Sequence, residues 1–266
     1  MLRMFRKSSL SFVCMFVFMS AVPVYASITA AIAGAAASWA TKKALDYLWD
    51  YMNEPDNKGD INIVETKADN GDPTAQYNLG LMNYKGYMTE KNVYRAVTLW
   101  EEAAKNGSTD AQCSLGYMYY HGEGVRQNHS EALKYFMTAA EHDDSTGQYN
   151  AAVMYFNGTG TAKNIPKALE LFRKSAEHGD ISAQFILGSI YYEGDGTDRN
   201  LHEAFRYFMM SAEQGDSESQ CNIGSMYYNG EGAERDEFKA LEWWTKAANQ
   251  GNKEAIHNIE LILKEE

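Results

Sequence analysis

Proline and cysteine are scarce, with 4 and 3 among 266 residues. So few prolines, with 21 glycines in no triplet repeat, exclude collagen-like and Pro-rich linker architectures. Basic residues are also in deficit: 24 Lys and Arg face 36 Asp and Glu, a formal charge of −12. Such a surface repels phosphate backbones and anionic lipid headgroups, so nucleic acid is excluded as a partner class. The sequence has no H-E-x-x-H, no G-x-S-x-G, no phosphate loop and no C-x-x-C pair, and therefore no familiar catalytic motif. At 45% hydrophobic and 23% charged, the composition is that of a folded chain with a core to bury.

The N-terminus reads as a secretory signal covering residues 1–26. A basic stretch, MLRMFRK, precedes an apolar run from Leu10 to about Ala21, and Val24-Tyr25-Ala26 supplies small residues for cleavage after Ala26. Val13 before Cys14 does not suit a lipoprotein signal. An uncleaved anchor is the rival reading, because no charge occurs from Ser8 through Thr41. Pro23 and the Ala-rich second half favour cleavage. Without Arg3, Arg6 and Lys7 the remainder holds 21 basic against 36 acidic residues, a net of −15. The expected location is periplasmic or secreted, with no membrane partner expected once the signal is gone.

Self-comparison exposes a period of 36 residues: Gly71, Gly107, Gly179, Gly215 and Gly251 share one slot, and Asp143 fills the missing place. The same register aligns Leu79-Gly80, Leu115-Gly116, Leu187-Gly188 and Ile223-Gly224, with Ala151-Ala152 as the divergent member. Five units follow (71–106, 107–142, 143–178, 179–214, 215–250), closed by a C-terminal capping helix in 251–266. A period in this range signals a solenoid. Each unit reads as two helices: Ala111, Leu115, Met118 and Tyr119 make one apolar stripe, and Ala132, Leu133, Phe136, Ala139 and Ala140 another, with a reversal at Gly122-Glu123-Gly124 between them. No single pair buries its own apolar face, so stability must come from stacking. The fold class is thus all-α, a right-handed superhelical α-solenoid of helix-turn-helix repeats.

Ala183…Leu187-Gly188…Tyr191…Gly194-Asp195-Gly196, followed by Ala204…Phe208…Ser211-Ala212, resembles the Sel-one-like repeat family, relatives of the tetratricopeptide repeats. The resemblance covers about two-thirds of the chain and implies a binding scaffold without catalysis. Departures from the pattern are Asn83 and Met88 in the first unit, and Asp143, Gly147 and Ala151-Ala152 in the third, where a bend or looser stacking is expected. Residues 27–70 precede the array. Ile28, Ile32, Ala36, Trp39, Lys43 and Tyr47 line one helical stripe, read as a cap for the first repeat or as an interfacial membrane helix.

Cys113 and Cys221 occupy one repeat position three units apart, too distant for a disulfide, so both are expected as buried thiols. No metal or cofactor is expected. His142 and His178 stand one unit apart, and Asp195 and Asp198 lack the ligand pattern of a calcium loop. The glycines of the G-x-G loops follow helices rather than strands and serve as turns.

A row six residues after each opening position holds Tyr77, Cys113, Tyr149, Phe185, Cys221 and His257, and a row thirteen residues after holds Tyr84, Tyr120, Phe156, Tyr192 and Tyr228. Tetratricopeptide-like arrays turn such a stripe toward a concave groove, so the resemblance implies a protein-binding groove of Tyr77, Tyr84, Tyr117, Tyr120, His121, Tyr149, Phe156, Phe185, Tyr192, Glu193 and Tyr228. The aromatics could equally pack between helices. Gln76, Gln112, Gln148, Gln184 and Gln220 never vary between units and are expected to bond buried backbone.

The functional expectation is an exported, non-enzymatic protein that occupies a partner's surface, foremost a periplasmic immunity, inhibitor or regulatory protein. A secreted factor binding host proteins and an envelope assembly scaffold are the alternatives; from another class, a hydrolase built of groove side chains is the rival. The acidic balance suits a partner with a basic surface, whether toxin, host factor or envelope protein.

Overall fold

The computed structural model describes residues 42–265. The expected signal segment and residues 27–41 lie outside them, so Ile28, Ile32, Ala36 and Trp39 of the proposed stripe do too. The described residues form thirteen α-helices and no strand. The chain divides into two compact units at Gln184 and Phe185. The first holds α1 (Lys42–Met52), α2 (Ile61–Asp69), α3 (Pro73–Lys85), α4 (Val93–Lys105), α5 (Thr109–His121), α6 (His129–Glu141), α7 (Ser145–Asn157), α8 (Ile165–Glu177) and the start of α9 (Ile181–Glu193). The second holds the rest of α9 with α10 (Leu201–Glu213), α11 (Ser217–Asn229), α12 (Glu237–Asn249) and α13 (Lys253–Glu265). Each is a run of helix pairs stacked in chain order, the architecture of an α-solenoid.

Caps set the helix limits. First helices of the repeats start at a short polar residue whose side chain accepts a backbone N–H three residues on: Asp72 from Ala75, Ser108 from Ala111, Asp144 from Gly147, Asp216 from Ser219. Second helices start the same way at Asn92, Asn128, Asn164, Asn200 and Asp236. Each such cap contributes about 1 kcal/mol. First helices end at a left-handed glycine, for example Gly86 and Gly122 with φ of 71° and 73°.

Within a repeat the two helices meet through a slot. Gly80 lies so close under the Trp100 indole that a β-carbon there would stand 2.5 Å from its nitrogen. That nitrogen donates to the Tyr77 carbonyl at 3.1 Å. Trp244 sits over Gly224 in the same way and donates to the Cys221 carbonyl at 3.1 Å. Phe136 fills the slot at Gly116, and Phe208 that at Gly188.

Between repeats four of the five constant glutamines bond buried backbone as expected, and Gln148 does not. The Nε2 of Gln76, Gln112, Gln184 and Gln220 donates to the carbonyls of Ala68, Ala104, Ala176 and Ala212 at 3.1, 3.4, 3.0 and 3.1 Å. The Gln76 and Gln220 carbonyls accept from Asn106 and Gln250 at 3.0 and 2.8 Å.

The third repeat corrects the expectation of looser stacking. Gly147 lets α7 close on α6, since a β-carbon there would lie 2.6 Å from the Ala139 β-carbon. The irregularity appears instead as polar mismatch. Asp143 takes the glycine's conformation at φ 58°, and Gln112 Oε1 and Gln148 Nε2 are buried without partners. His142, at the place of Asn106 one repeat earlier, turns back to the Thr138 carbonyl at 2.8 Å and leaves Gln112 unmet.

Before the array, α1 and α2 bury Leu48, Met52 and Val64 in one core with Leu79, Met82 and Trp100. No described helix is long and apolar enough to cross a membrane. At the other end, Ala255, Ile259 and Ile262 of α13 pack onto the cluster around Trp244. Cys113 and Cys221 are both buried free thiols.

Candidate functional site

The two aromatic rows meet on a ring, not in open solvent. Tyr77 and Tyr84 lie three residues before and four after Gly80, the spacing that walls a helical slot. Their ring centroids stand 6.5 and 5.6 Å from Trp100. Tyr149 and Phe156 flank Ala152 and approach Phe172 at 5.9 and 6.4 Å. Phe185 lies 5.8 Å from Phe208, and Tyr228 lies 5.6 Å from Trp244.

Assigning Tyr149 and Phe156 to a partner-facing groove is therefore corrected. They are 3% and 0% exposed, held inside by the second helix of their own repeat. Tyr77, Tyr84, Phe185, Tyr192 and Tyr228 are half-buried, committed on one face to this packing. Tyr84 and Tyr192 also tie one repeat to the next, their hydroxyls 3.0 Å from Glu123 and Glu231. Thr159 stands at the corresponding place after Tyr120, so Tyr120 has no such carboxylate.

Tyr117, Tyr120 and His121 form a cluster at the end of α5. The His121 ring lies 4.3 Å from Tyr117 and 5.0 Å from Tyr120, and His129 lies 4.9 Å from Tyr120. Burial lowers the His121 pKa, opposed by Glu123. Of the expected residues, His121 and Glu193 are exposed.

A second row escaped the periodic reading because it mixes residue types. The acidic side chains at the starts of first helices lie beside the row that opens with Tyr77. Cys113 Sγ is 3.3 Å from Asp144 Oδ1. Burial raises the pKa of Asp110 and Asp180, with the Asp144 charge adding at Asp110. In the second unit Ser217, Glu218, Gln250, Asn252, Lys253 and Glu254 line a cleft of about 400 Å³. Asn252 Nδ2 donates to Glu218 Oε1 at 3.1 Å. No group of His, Cys, Asp and Glu among the described residues could hold a metal ion.

Burial, then the Glu218 charge, lift Glu254 to about 7. A carboxyl raised on folding gives its full stabilisation below its ordinary value of 4.5 and loses it as pH rises through about 7. The melting midpoint should accordingly fall from pH 5 to 8, and Glu254→Gln should remove about 2–4 °C of that fall. Superimposable pH profiles for the two proteins would show that Glu254 does not titrate there.

Stacked helix pairs, slot glycines and inter-repeat glutamines define a helical repeat scaffold. The Sel1 repeat profile matches residues 73–108, 109–144, 145–180, 181–216 and 217–252, the same period opening two residues later. The chain belongs to the Sel1 repeat family, whose members are in general non-enzymatic scaffolds for protein interaction. A Sel1 repeat protein from Oxalobacter formigenes is 33% identical, with a TM-score of 0.71 over 76% of this chain and 58% of its own. The protein c5321, a protective antigen of uropathogenic Escherichia coli strains displaying an SLR fold, is 29% identical, with a TM-score of 0.77 over 92% of this chain and 52% of its own. The chain thus spans little more than half the length of these two proteins. No curated protein sequence matches it.

Proposed function

We propose that this is an exported protein that acts by occupying the surface of a partner protein, without catalysis, as an inhibitor, immunity protein or regulator in the periplasm. The observation that carries the reading is the array itself, five consecutive Sel1 repeats in a family of interaction scaffolds. The basic stretch, apolar run and Val24-Tyr25-Ala26 support export. The net charge of −15 beyond the signal favours a partner with a basic face. The second reading, a factor displayed to a host, is favoured by the Escherichia coli relative, a protective antigen.

The test is recovery of the chain from fractionated cells expressing it at native level. It is expected in the periplasmic fraction, beginning at Ser27, in a complex whose second protein dissociates as salt is raised. A chain still starting at Met1 in the membrane, or one recovered alone from every fraction, would overturn the reading. Co-purification from the culture medium would replace the periplasmic role with the host-facing one.

A further inference from the structure

The residue just past each second helix sits near the constant glutamine of its own repeat, and at three repeats the two side chains are joined. Asn106, after α4, donates from Nδ2 to Gln76 Oε1 at 3.0 Å and to the Gly71 carbonyl at 3.3 Å. Gln250, after α12, donates from Nε2 to Gln220 Oε1 at 2.8 Å and to the Gly215 carbonyl at 3.0 Å. His178, after α8, meets Gln148 Oε1 through Nδ1 at 3.1 Å. Since Gln76 also donates to Ala68 of α2, the joined pair in the first repeat ties three successive helices.

His142 holds the same place after α6 and is not joined. Its Nδ1 lies 2.8 Å from the Thr138 carbonyl, four residues back on its own helix. Gln112, 4% exposed, is left with Oε1 buried and unmet. A buried acceptor in that state costs free energy that a donor recovers.

The structure holds two precedents for His142 reaching Gln112. His178 shows that an imidazole meets the glutamine from this position. Gln250 shows that the helix end need not be rebuilt: its backbone N–H bonds the carbonyl three residues back, Ala247 at 3.0 Å, as that of His142 bonds Ala139 at 3.0 Å, and its side chain is joined all the same. Space is not limiting either, because a β-carbon on Gly107 would meet nothing within 4 Å, and the third repeat admits His178 with Asp143 at the corresponding place. A carbonyl oxygen only accepts, so Nδ1 carries the proton in either seat, and ring rotation alone separates the two. When the ring leaves, the Thr138 carbonyl at the exposed end of α6 can turn to water, and Gln112 Oε1 gains a donor.

We infer that His142 is a two-seat latch. Seated on Thr138 it caps α6; seated on Gln112 it ties α6 to α5 and, through the bond from Gln112 to Ala104, to α4. The second repeat thus alternates between an untied and a tied arrangement, whereas Asn106 holds the first repeat tied. One hydrogen bond is exchanged for another, so a bound protein that touches the end of α6 more strongly in one arrangement shifts the balance toward it.

Amide hydrogen exchange of the intact protein, followed by mass spectrometry over residues 137–148, tests the latch. His142→Asn supplies the amide that is joined in the first repeat, and the parent is expected to exchange about threefold faster than this variant at the end of α6. His142→Ala should exchange faster than the parent, by a factor that falls about threefold when Gln112→Met removes the acceptor. A parent as slow as His142→Asn would mean that the ring never leaves Gln112. A factor unchanged by Gln112→Met would mean that the ring only caps α6. Either result overturns the latch. A measurement on the parent alone covers the case in which Gln112→Met does not fold: nuclear Overhauser contacts from the His142 ring protons are expected to both the Thr138 and the Gln112 side chains, and contacts to only one of them would equally overturn the inference.

Discussion

Trp244→Ala is expected to lose about 3–5 kcal/mol of unfolding free energy, the range for truncating a buried large aromatic. The ring is 2% exposed, lies over Gly224, stands 5.6 Å from Tyr228, and donates its indole N–H to the Cys221 carbonyl at 3.1 Å. Alanine leaves the slot empty, and the glycine beneath has no side chain to relax into it. It also removes one donor from the Cys221 carbonyl, which keeps the Ser225 hydroxyl at 3.2 Å. Trp243→Ala is the matched control, because that ring is only partly buried, with Lys246 Nζ 3.8 Å from its centroid. Its loss should be less than half as large. Urea unfolding of both variants decides the matter, with Glu193→Ala expected within 0.5 kcal/mol of the parent as at other exposed surface positions. Equal losses at 243 and 244 would mean that the slot is not where the stability of α11 and α12 resides.

The same slot explains what the sequence made legible and what it hid. Repeat period, helix pairing and the glutamine row could be read because each depends on identity at a fixed interval, and Gln76, Gln184 and Gln220 make the bonds expected of them. The two aromatic rows were correctly placed on one helical face. Periodicity says which residues share a face and not what covers it, and here the cover is Trp100, Phe172 or Trp244 of the same repeat. The signal was present in the spacing: residues three before and four after a slot glycine are its walls, which marks Tyr77 and Tyr84 around Gly80. Asn92, Asn128, Asn164 and Asn200, which the structure shows capping the second helices, recur at the same interval, a signal the reading of the sequence passed over.

The acidic side chains at the starts of the first helices were harder to see as a row because they belong to different helix positions. Asp144 and Asp180 are capping residues, whereas Asp110 sits inside the first turn of α5, with Ser108 as cap. Only stacking brings Asp110 under the influence of Asp144. Charge near a helix N-terminus is locally favourable whatever lies around it, so local rules account for each residue alone and stay silent about the row.

Gly160→Ala is expected to cost about 2–5 kcal/mol, summing left-handed backbone strain of about 1–2 kcal/mol and overpacking of about 1–3 kcal/mol. Its φ is 71°, and a β-carbon would lie 2.5 Å from both the carbonyl carbon and oxygen of His129 at the start of α6. Backbone cannot swing aside as a flexible side chain can. The second glycine of the loop is therefore the point where one repeat rests on the second helix of the repeat before it. Gly107→Ala separates the two contributions, since its φ is 92° and nothing lies within 4 Å of the added carbon; it should cost only the strain. Met88, at the corresponding place in the first repeat, adopts φ 57° and is 50% exposed. At that exposure the steric demand lapses and only the backbone demand remains. Met88→Gly should then change stability by less than 1 kcal/mol, as expected for relief of strain offset by added chain entropy. Denaturant unfolding of the three variants orders them, with Gly160→Ala least stable, Gly107→Ala intermediate and Met88→Gly near the parent. If Gly160→Ala proves as mild as Gly107→Ala, the start of α6 yields to the new side chain, and the repeats are not seated on one another through this glycine.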